Sequence, residues 1–306
     1  MRLTAAVALI GVTTIVQPTT VFAQQSDERG RCFASEGATP QQRLQSCTLL
    51  IESAGQSSQT RVAALNSRGN VHLSQRNYDR AIDDYNEAIR LDPAYAIGFN
   101  NRGLAYQRKG LIDRAIEDYD EAIRLNPAYA LAFANRAAAR QIKGRVDLAI
   151  EDSDKAIGLN RRLAAAFFAR ANAYRDKAQW DFDAYLADGI YEDRAIADYD
   201  EGLRLEPNNA AALRNRGFLN AKRQRYDRAI EDFDEAIRLD PNVAASFSGR
   251  AYALRFVGQY DRAIADYRKA LTLQLDEMSR SQIETVLKQL GAAAAQGGVP
   301  ASISKR

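Results

Sequence analysis

Side chains that commonly carry chemistry are scarce in this sequence, and its two cysteines are the most informative of them. Cys32 and Cys47 are separated by fourteen residues, and the chain has a single histidine, His72. Because histidine and cysteine are the usual ligands of transition metals, little material remains for a metal site, and we expect neither a metal nor a cofactor. The cysteines themselves can form a disulfide, remain free thiols or take part in redox chemistry.

The acidic residues and the charge balance argue against two further classes of function. Hydrolysis of a glycosidic bond requires two carboxylates that face each other across a cleft. The acids of this chain instead recur with a helical pattern, and the sequence has neither a Ser-centred nucleophile motif nor a Gly-rich phosphate loop. Its 42 basic and 39 acidic residues give a net charge of +3, which is too balanced for a general nucleic-acid binder. We therefore expect no enzymatic activity and no nucleic-acid partner.

Residues 1–23 have the pattern of a secretory signal peptide. Arg2 supplies a positive charge, a short apolar stretch covers residues 3–16, and Val21 and Ala23 are the small side chains of a cleavage site. The apolar stretch is too short to span a bilayer comfortably, and a buried N-terminal helix is the alternative. We therefore expect a periplasmic or secreted protein without a stable membrane anchor after cleavage. Such an oxidising compartment favours a disulfide between the two cysteines.

The elements that position these side chains come from a sixteen-residue pattern that recurs along the chain. It reads YDRAIDDYNEAIRLDP from Tyr78, IDRAIEDYDEAIRLNP from Ile112 and YDRAIEDFDEAIRLDP from Tyr226. The alanine of this pattern recurs at a constant interval, which is longer only between the third and fourth copies: Ala81, Ala115, Ala149, Ala195, Ala229 and Ala263. A second helical pattern precedes each copy. Prolines that end the copies stand at Pro93, Pro127, Pro207 and Pro241.

A helix pair at this constant interval, with small residues where the helices touch and a proline after the second helix, resembles the tetratricopeptide repeat family. The resemblance implies an all-α fold, a right-handed α-solenoid of stacked helix pairs, and a role in binding other proteins. It covers six repeats, at residues 62–95, 96–129, 130–163, 164–209, 210–243 and 244–277.

The two ends of the chain depart from the regular repeat. Residues 24–61 resemble a divergent helix pair, and we expect them to form an N-terminal cap that contains the cysteine pair. Residues 278–291 have apolar side chains at helical spacing and predict a capping helix over the last repeat. Residues 292–306 are rich in alanine and glycine and predict a flexible tail.

A twelve-residue insertion interrupts the fourth repeat between its two helices. It contains the only tryptophan of the chain, Trp180, together with Phe182 and Tyr185. Aromatic side chains on an insertion can contact a partner. They can equally pack on one another within a lengthened helix pair, and the sequence leaves both interpretations open.

Two charged positions recur in every repeat. When each repeat is numbered from its first residue, position 7 is always arginine and position 23 is always aspartate, once the insertion is left out of the count. In the family these positions usually hold residues that pack between the paired helices, so the joint change predicts an ion pair within each repeat. Arginines that bind a ligand are the alternative. The predicted pairs are Arg68–Asp84, Arg102–Asp118, Arg136–Asp152, Arg170–Asp198, Arg216–Asp232 and Arg250–Asp266.

In this family the first helices of the repeats line a concave groove. The corresponding positions here hold several basic and aromatic residues and a single acid, Asp176. The resemblance therefore implies a groove for a peptide or protein segment with acidic and apolar side chains, because opposite charge would steer such a segment towards it. A solvated groove without a ligand is the alternative. The candidate groove residues are Asn101, Arg108, Asn135, Arg175, Arg214, Asn215, Phe218, Lys222, Tyr252 and Arg255.

The leading interpretation of the whole chain is an exported scaffold for protein–protein interaction. The alternative is a structural component of an envelope complex that associates with itself. Apolar surfaces exposed at the ends of the repeat array would favour self-association, whereas covered ends would favour binding in the groove.

Overall fold

A computed structural model describes residues 27–33, 37–180 and 189–295, and the chain divides into two compact units between Leu111 and Ile112. All regular secondary structure in the described residues is α-helical. The predicted all-α class is therefore confirmed.

The first unit contains helices α1 to α5. Their bounds are 27–33 for α1, Pro40–Glu52 for α2, Ser58–Ser74 for α3, Tyr78–Leu91 for α4 and Ala96–Arg108 for α5. Consecutive helices from α2 to α5 pack against each other. Helix α3 begins four residues before the predicted start of the first repeat, because the Ser57 side chain caps it by accepting a hydrogen bond from the backbone of Thr60.

The second unit contains helices α6 to α15, and α7 to α14 form the helix pairs of the third to sixth predicted repeats. The bounds are Ile112–Leu125 (α6), Ala130–Ile142 (α7), Val146–Leu159 (α8), Ala164–Trp180 (α9), Ile190–Leu205 (α10), Ala210–Lys222 (α11), Tyr226–Leu239 (α12), Ala244–Phe256 (α13), Tyr260–Leu271 (α14) and Glu277–Ala295 (α15).

Small residues let the helices approach closely, as the repeat pattern predicts. The recurring alanines of the second helices are fully buried, and so are aromatic side chains such as Tyr85 and Phe233. A Cβ atom added at Gly69 would lie 2.6 Å from the ring of Tyr85, and one added at Gly249 would lie 2.5 Å from the ring of Phe233. The aromatic side chains therefore occupy the space that the small residues leave open.

A disulfide between Cys32 and Cys47 joins α1 to α2 in the N-terminal part of the first unit. Both cysteines are fully buried, their Cα atoms are 4.8 Å apart, and they pack with Leu50 and Ala64. Helix α2 starts in a capping box, because the side chain of Thr39 and that of the third helical residue each accept a hydrogen bond from the other's backbone. The disulfide thus ties the short helix α1 to helix α2, which packs against α3.

For five of the six predicted Arg–Asp pairs, both members belong to the same compact unit: one pair lies in the first unit and four lie in the second. The structure contains all five. In Arg216–Asp232, the guanidinium donates to the buried carboxylate at 2.6 Å. The arginines of the second unit also bridge to a second, exposed aspartate of the preceding repeat, as Arg216 does to Asp200 at 2.6 Å, and sequence analysis missed this partner. The sixth pair, Arg102–Asp118, has its members in different units and stays a prediction. The other pairs are Arg68–Asp84, Arg136–Asp152, Arg170–Asp198 and Arg250–Asp266.

Part of the insertion in the fourth repeat lengthens its two helices. Helix α9 has 17 residues, whereas the first helices α7, α11 and α13 have 13 each. Helix α10 has 16 residues and follows Gly189, whose φ of +79° favours glycine. Phe182, Tyr185 and the side chain of Trp180 lie outside the described part of the chain, so their predicted contact with a partner stays a prediction.

The last helix is longer than sequence analysis predicts. Helix α15 continues to Ala295, four residues beyond the predicted end of the capping helix at residue 291. The first residues assigned to a flexible tail are therefore helical. The reason is local, since residues 292–295 are all alanine, which has the highest intrinsic helix propensity.

Candidate functional site

A cavity of about 780 Å³ lies among helices α11, α13, α14 and α15 of the second unit. We call it the C-terminal cavity. Four of the predicted groove residues line it, and all four come from the first helices of the fifth and sixth repeats. These are Phe218, Lys222, Tyr252 and Arg255.

The constant period of the repeats explains why these side chains meet. Phe218 and Tyr252 occupy the same position in successive repeats, so stacked first helices present them side by side. Val286 stands one further period along the chain, on α15, and it also lines the cavity. The sequence register of helix α15 therefore continues that of the first helices.

The contribution of α15 to the cavity is the part of the site that sequence analysis missed. Ser279, Gln282, Ile283 and Gln289 line the cavity at positions that correspond to groove positions of a first helix. Sequence analysis treated this helix only as a cap over the apolar end. Counting one more period past the sixth repeat would have placed these side chains in the groove.

The aromatic side chains of the cavity pack against other aromatic rings of the protein and remain partly exposed. Phe218 packs edge-on against Phe233 with ring centroids 5.0 Å apart, and Tyr252 lies 4.9 Å from Phe256. Phe256 in turn stacks on Tyr226 at 4.8 Å. Phe218 and Tyr252 nevertheless remain 41% and 42% exposed. They form an apolar surface that is open to solvent.

The two cations of the cavity differ in their partners. The Lys222 ammonium forms an ion pair at 2.5 Å with the nearly buried Glu192, so its charge is compensated. Among the residues that the structure describes, Arg255 has no carboxylate partner, and its buried Nε makes no hydrogen bond. Burial raises the pKa of the Tyr267 hydroxyl, and hydrogen bonding with the neighbouring Arg255 guanidinium and its positive charge oppose that rise.

Other predicted groove residues of the second unit belong to an internal hydrogen-bond network centred on Asn172. The Tyr199 hydroxyl and the Asn215 amide both donate to its carbonyl oxygen, at 2.5 Å and 3.2 Å. Arg175 donates to the same oxygen and forms an ion pair with Asp176 at 2.8 Å. Burial raises the pKa of Tyr199 to about 12. Asn215 and Arg175 therefore contact their own protein rather than an open groove.

Asn101 has a similar arrangement in the first unit. Its amide nitrogen donates to Asn66 at 2.8 Å and to Asn70 at 3.3 Å, and its carbonyl oxygen accepts from Asn100. The Tyr85 hydroxyl donates to Asn70 as well. The side-chain amide that the sequence assigns to ligand binding is thus engaged within the protein.

The three remaining candidates do not line the C-terminal cavity. Arg108 is exposed at the end of α5 in the first unit. Asn135 and Arg214 are half-buried on α7 and α11 of the second unit. The structure therefore gathers four of the ten predicted groove residues around one cavity.

Comparison with known families and structures now assigns the fold. Models described as tetratricopeptide repeat match residues 96–129, 210–243 and 244–277, and a model described as TPR repeat matches residues 69–110. The chain contains tetratricopeptide repeats. Three of the matched ranges have the same bounds as the second, fifth and sixth repeats counted from the sequence.

Solved structures agree with this fold. A tetratricopeptide repeat protein from Parabacteroides merdae aligns with a TM-score of 0.56 at 17% identity, over 89% of this chain and 98% of that one. PilF of Pseudomonas aeruginosa aligns with a TM-score of 0.63 at 16% identity, over 76% of this chain and all of that one. The Cut9–Hcn1 hetero-tetramer of the APC/C aligns with a TM-score of 0.66 at 17% identity, over 88% and 55%. Such identities support a common α-solenoid fold and nothing finer.

Comparison with curated protein sequences gives no significant match. In the described ranges 27–33, 37–180 and 189–295, no helix combines the length and the apolar character that crossing a membrane requires.

Proposed function

We propose that this protein is a scaffold that binds a peptide or protein segment, with the C-terminal cavity as the centre of the site. The observation that carries the proposal is the exposed pair Phe218 and Tyr252 beside Arg255 in one cavity. Aromatic and arginine side chains dominate the energetics of protein interfaces. The volume of the cavity falls within the range of about 300–1,000 Å³ that is typical of ligand sites.

The charge of the cavity supports a ligand with acidic and apolar side chains. No aspartate or glutamate is among its lining residues, and of its two cations Arg255 carries the uncompensated charge, because Lys222 is paired with Glu192. The hydroxyl and amide groups of Ser248, Gln282 and Gln289 can pair with a peptide backbone. An acidic segment would be steered to this surface, and an apolar side chain would displace water from the two aromatic rings.

Coverage of the C-terminal end supports groove binding over self-association in an envelope complex. Helix α15 buries Ile283 and Leu290 against a core that contains Leu254 and Tyr267 of the sixth repeat. The apolar face that the last repeat would otherwise expose is thereby covered, and self-association through it would require α15 to leave.

We also propose that the protein works in the periplasm or is secreted. The buried Cys32–Cys47 disulfide supports an oxidising compartment. The proposed signal peptide, residues 1–23, lies outside the described part of the chain.

Affinity capture from an envelope extract tests the proposed site. The bait is the chain from Gln24 onwards, and the test variant carries Phe218→Ala and Tyr252→Ala. A matched control carries Leu148→Ala and Leu159→Ala, two apolar residues of helix α8 with nearly the same exposure, 39% and 38%.

A protein retained by the parent chain and by the control, and lost from the test variant at unchanged helicity, is the expected result. Equal retention of the protein by all three baits would show that the binding surface lies outside the cavity. A parent chain that retains only copies of itself would support the self-associating alternative.

A further inference from the structure

Only one of the two cations in the C-terminal cavity, Arg255, has no carboxylate partner among the described residues. Lys222 is held by Glu192, whose side chain is 9% exposed. A ligand that drew Lys222 away would leave that buried carboxylate without a counter-charge, which is strongly unfavourable. Arg255 has no such partner among the described residues, so a ligand carboxylate would meet it without displacing an existing ion pair.

The Arg255 guanidinium also interacts with side chains of its own protein, among them the Tyr267 hydroxyl. It lies 5.9 Å from the ring of Phe256, which stacks on Tyr226. Its Nε is buried, so a ligand carboxylate would accept from the two terminal nitrogens of the guanidinium, a paired geometry that lysine does not offer.

The apolar surface and this cation share a neighbour and line the same cavity. Phe256 lies 4.9 Å from Tyr252 and 5.9 Å from the Arg255 guanidinium, and Phe218 lines the cavity from the neighbouring repeat. In an extended peptide, residues i and i+2 point to the same side and are about 6.6 Å apart. A carboxylate and an apolar side chain two residues apart would therefore face the cation and the aromatic rings together.

We infer that Arg255 is the specificity-determining residue of the site and that it binds an aspartate or glutamate side chain of a peptide, next to an apolar side chain that lies on Phe218 and Tyr252. This inference rests on the proposed peptide-binding function of the same cavity. Lys222, in contrast, is a positioning residue that neutralises Glu192.

Selection from two synthetic peptide libraries tests the inference. Both consist of nine-residue peptides with randomised central positions. One library has blocked ends, so that only side chains carry carboxylates, and the other has a free C-terminus. The baits are the parent chain, Arg255→Gln, Phe218→Ala with Tyr252→Ala, and the matched control Arg268→Gln. Arg268→Gln removes the same charge from the second helix of the same repeat, outside the cavity.

The expected result is enrichment of blocked peptides that carry Asp or Glu two residues from an apolar residue. Arg255→Gln should weaken the binding of a selected peptide by about ten- to a hundredfold, the usual worth of hydrogen bonds to a charged group. Arg268→Gln should weaken it by less than about threefold, because it changes only the screened long-range attraction.

Three other results overturn the inference, and they are distinguishable from each other. Enrichment confined to peptides with a free C-terminus would mean that the α-carboxylate is recognised instead. Apolar peptides selected without acids, and lost from the double alanine variant, would refute the role of Arg255 while leaving the peptide site intact. No enrichment by the parent chain from either library would refute both the inference and the proposed function.

Discussion

Asp232→Asn should destabilise the fifth repeat far more than Asp234→Asn, although the two residues are neighbours on helix α12. Asp232 is 4% exposed and accepts hydrogen bonds from Arg216 at 2.6 Å and from Asn220 at 3.0 Å. Asparagine keeps the shape of the side chain but removes its charge. The Arg216 guanidinium would then lose its buried counter-charge.

The structure sets the size of the expected loss. Removing one partner of a buried ion pair typically costs about 3–5 kcal/mol. Arg216 is 22% exposed and keeps its second carboxylate, Asp200. Burial also raises the pKa of Asp232 against the opposing effect of Arg216, so the charged form is less favoured there. We therefore expect Asp232→Asn to lower the free energy of unfolding by about 2–3 kcal/mol.

The matched change serves as the control. Asp234 pairs with Arg250, but its side chain is 48% exposed, and an exposed pair contributes only about 0.2–1 kcal/mol. Urea unfolding followed by circular dichroism at pH 7 measures both variants against the parent chain. Equal losses in the two variants, or a loss below about 1 kcal/mol for Asp232→Asn, would refute the argument that burial decides what these pairs contribute.

Three further predictions concern stability. Reduction of the Cys32–Cys47 disulfide, which closes a loop with a sequence separation of 15, should cost about 3 kcal/mol; thermal melts with and without a thiol reductant measure this, and an unchanged midpoint would contradict it. Because burial raises the pKa of Tyr199 from 10.0 to about 12, its neutral form contributes stability that is present below pH 10 and is lost as the pH rises towards 12. The urea midpoint should fall across that window, and it should fall less in Tyr199→Phe; identical pH profiles would count against the assignment. Gly249→Ala would put a Cβ 2.5 Å from a phenylalanine ring and should cost about 1–3 kcal/mol. Gly158→Ala meets nothing within 4 Å inside helix α8 and should instead stabilise by about 0.5–1 kcal/mol. Thermal melts that shift in the same direction for both glycine variants would contradict the packing argument.

The fold follows from the sequence because its determinants are local and repeated. Ala229 and Phe233 stand at positions that recur with the period of the repeat, and their burial is dictated by one helix pair and its neighbour. The Arg216–Asp232 pair could be predicted for the same reason, since two positions that change together from packing residues into opposite charges must neutralise each other.

The site was predictable only in part, because its chemistry depends on contacts between residues that the repeat spacing does not relate to each other. Glu192 lies just after the insertion, where the repeat register is broken, so nothing in the pattern places it beside Lys222. The sequence places Asn101 and Asn215 on the first helices correctly. Whether their side-chain amides bind a ligand or hydrogen-bond to a neighbouring amide depends on distances of a few tenths of an ångström, which the sequence does not give. Helix α15 was assigned to a cap, although its register continues the groove.

Site-specific photo-crosslinking tests the central claim most directly. A benzoylphenylalanine is introduced in place of Phe218 in the C-terminal cavity and, in a separate protein, in place of Leu148 on helix α8, which is 39% exposed. The proteins are irradiated in the envelope extract, and the adducts are identified by mass spectrometry. Peptide-binding in the cavity predicts an adduct with another protein from position 218 and none from position 148. Adducts from position 148 with none from position 218 would contradict the assignment of the site to this cavity.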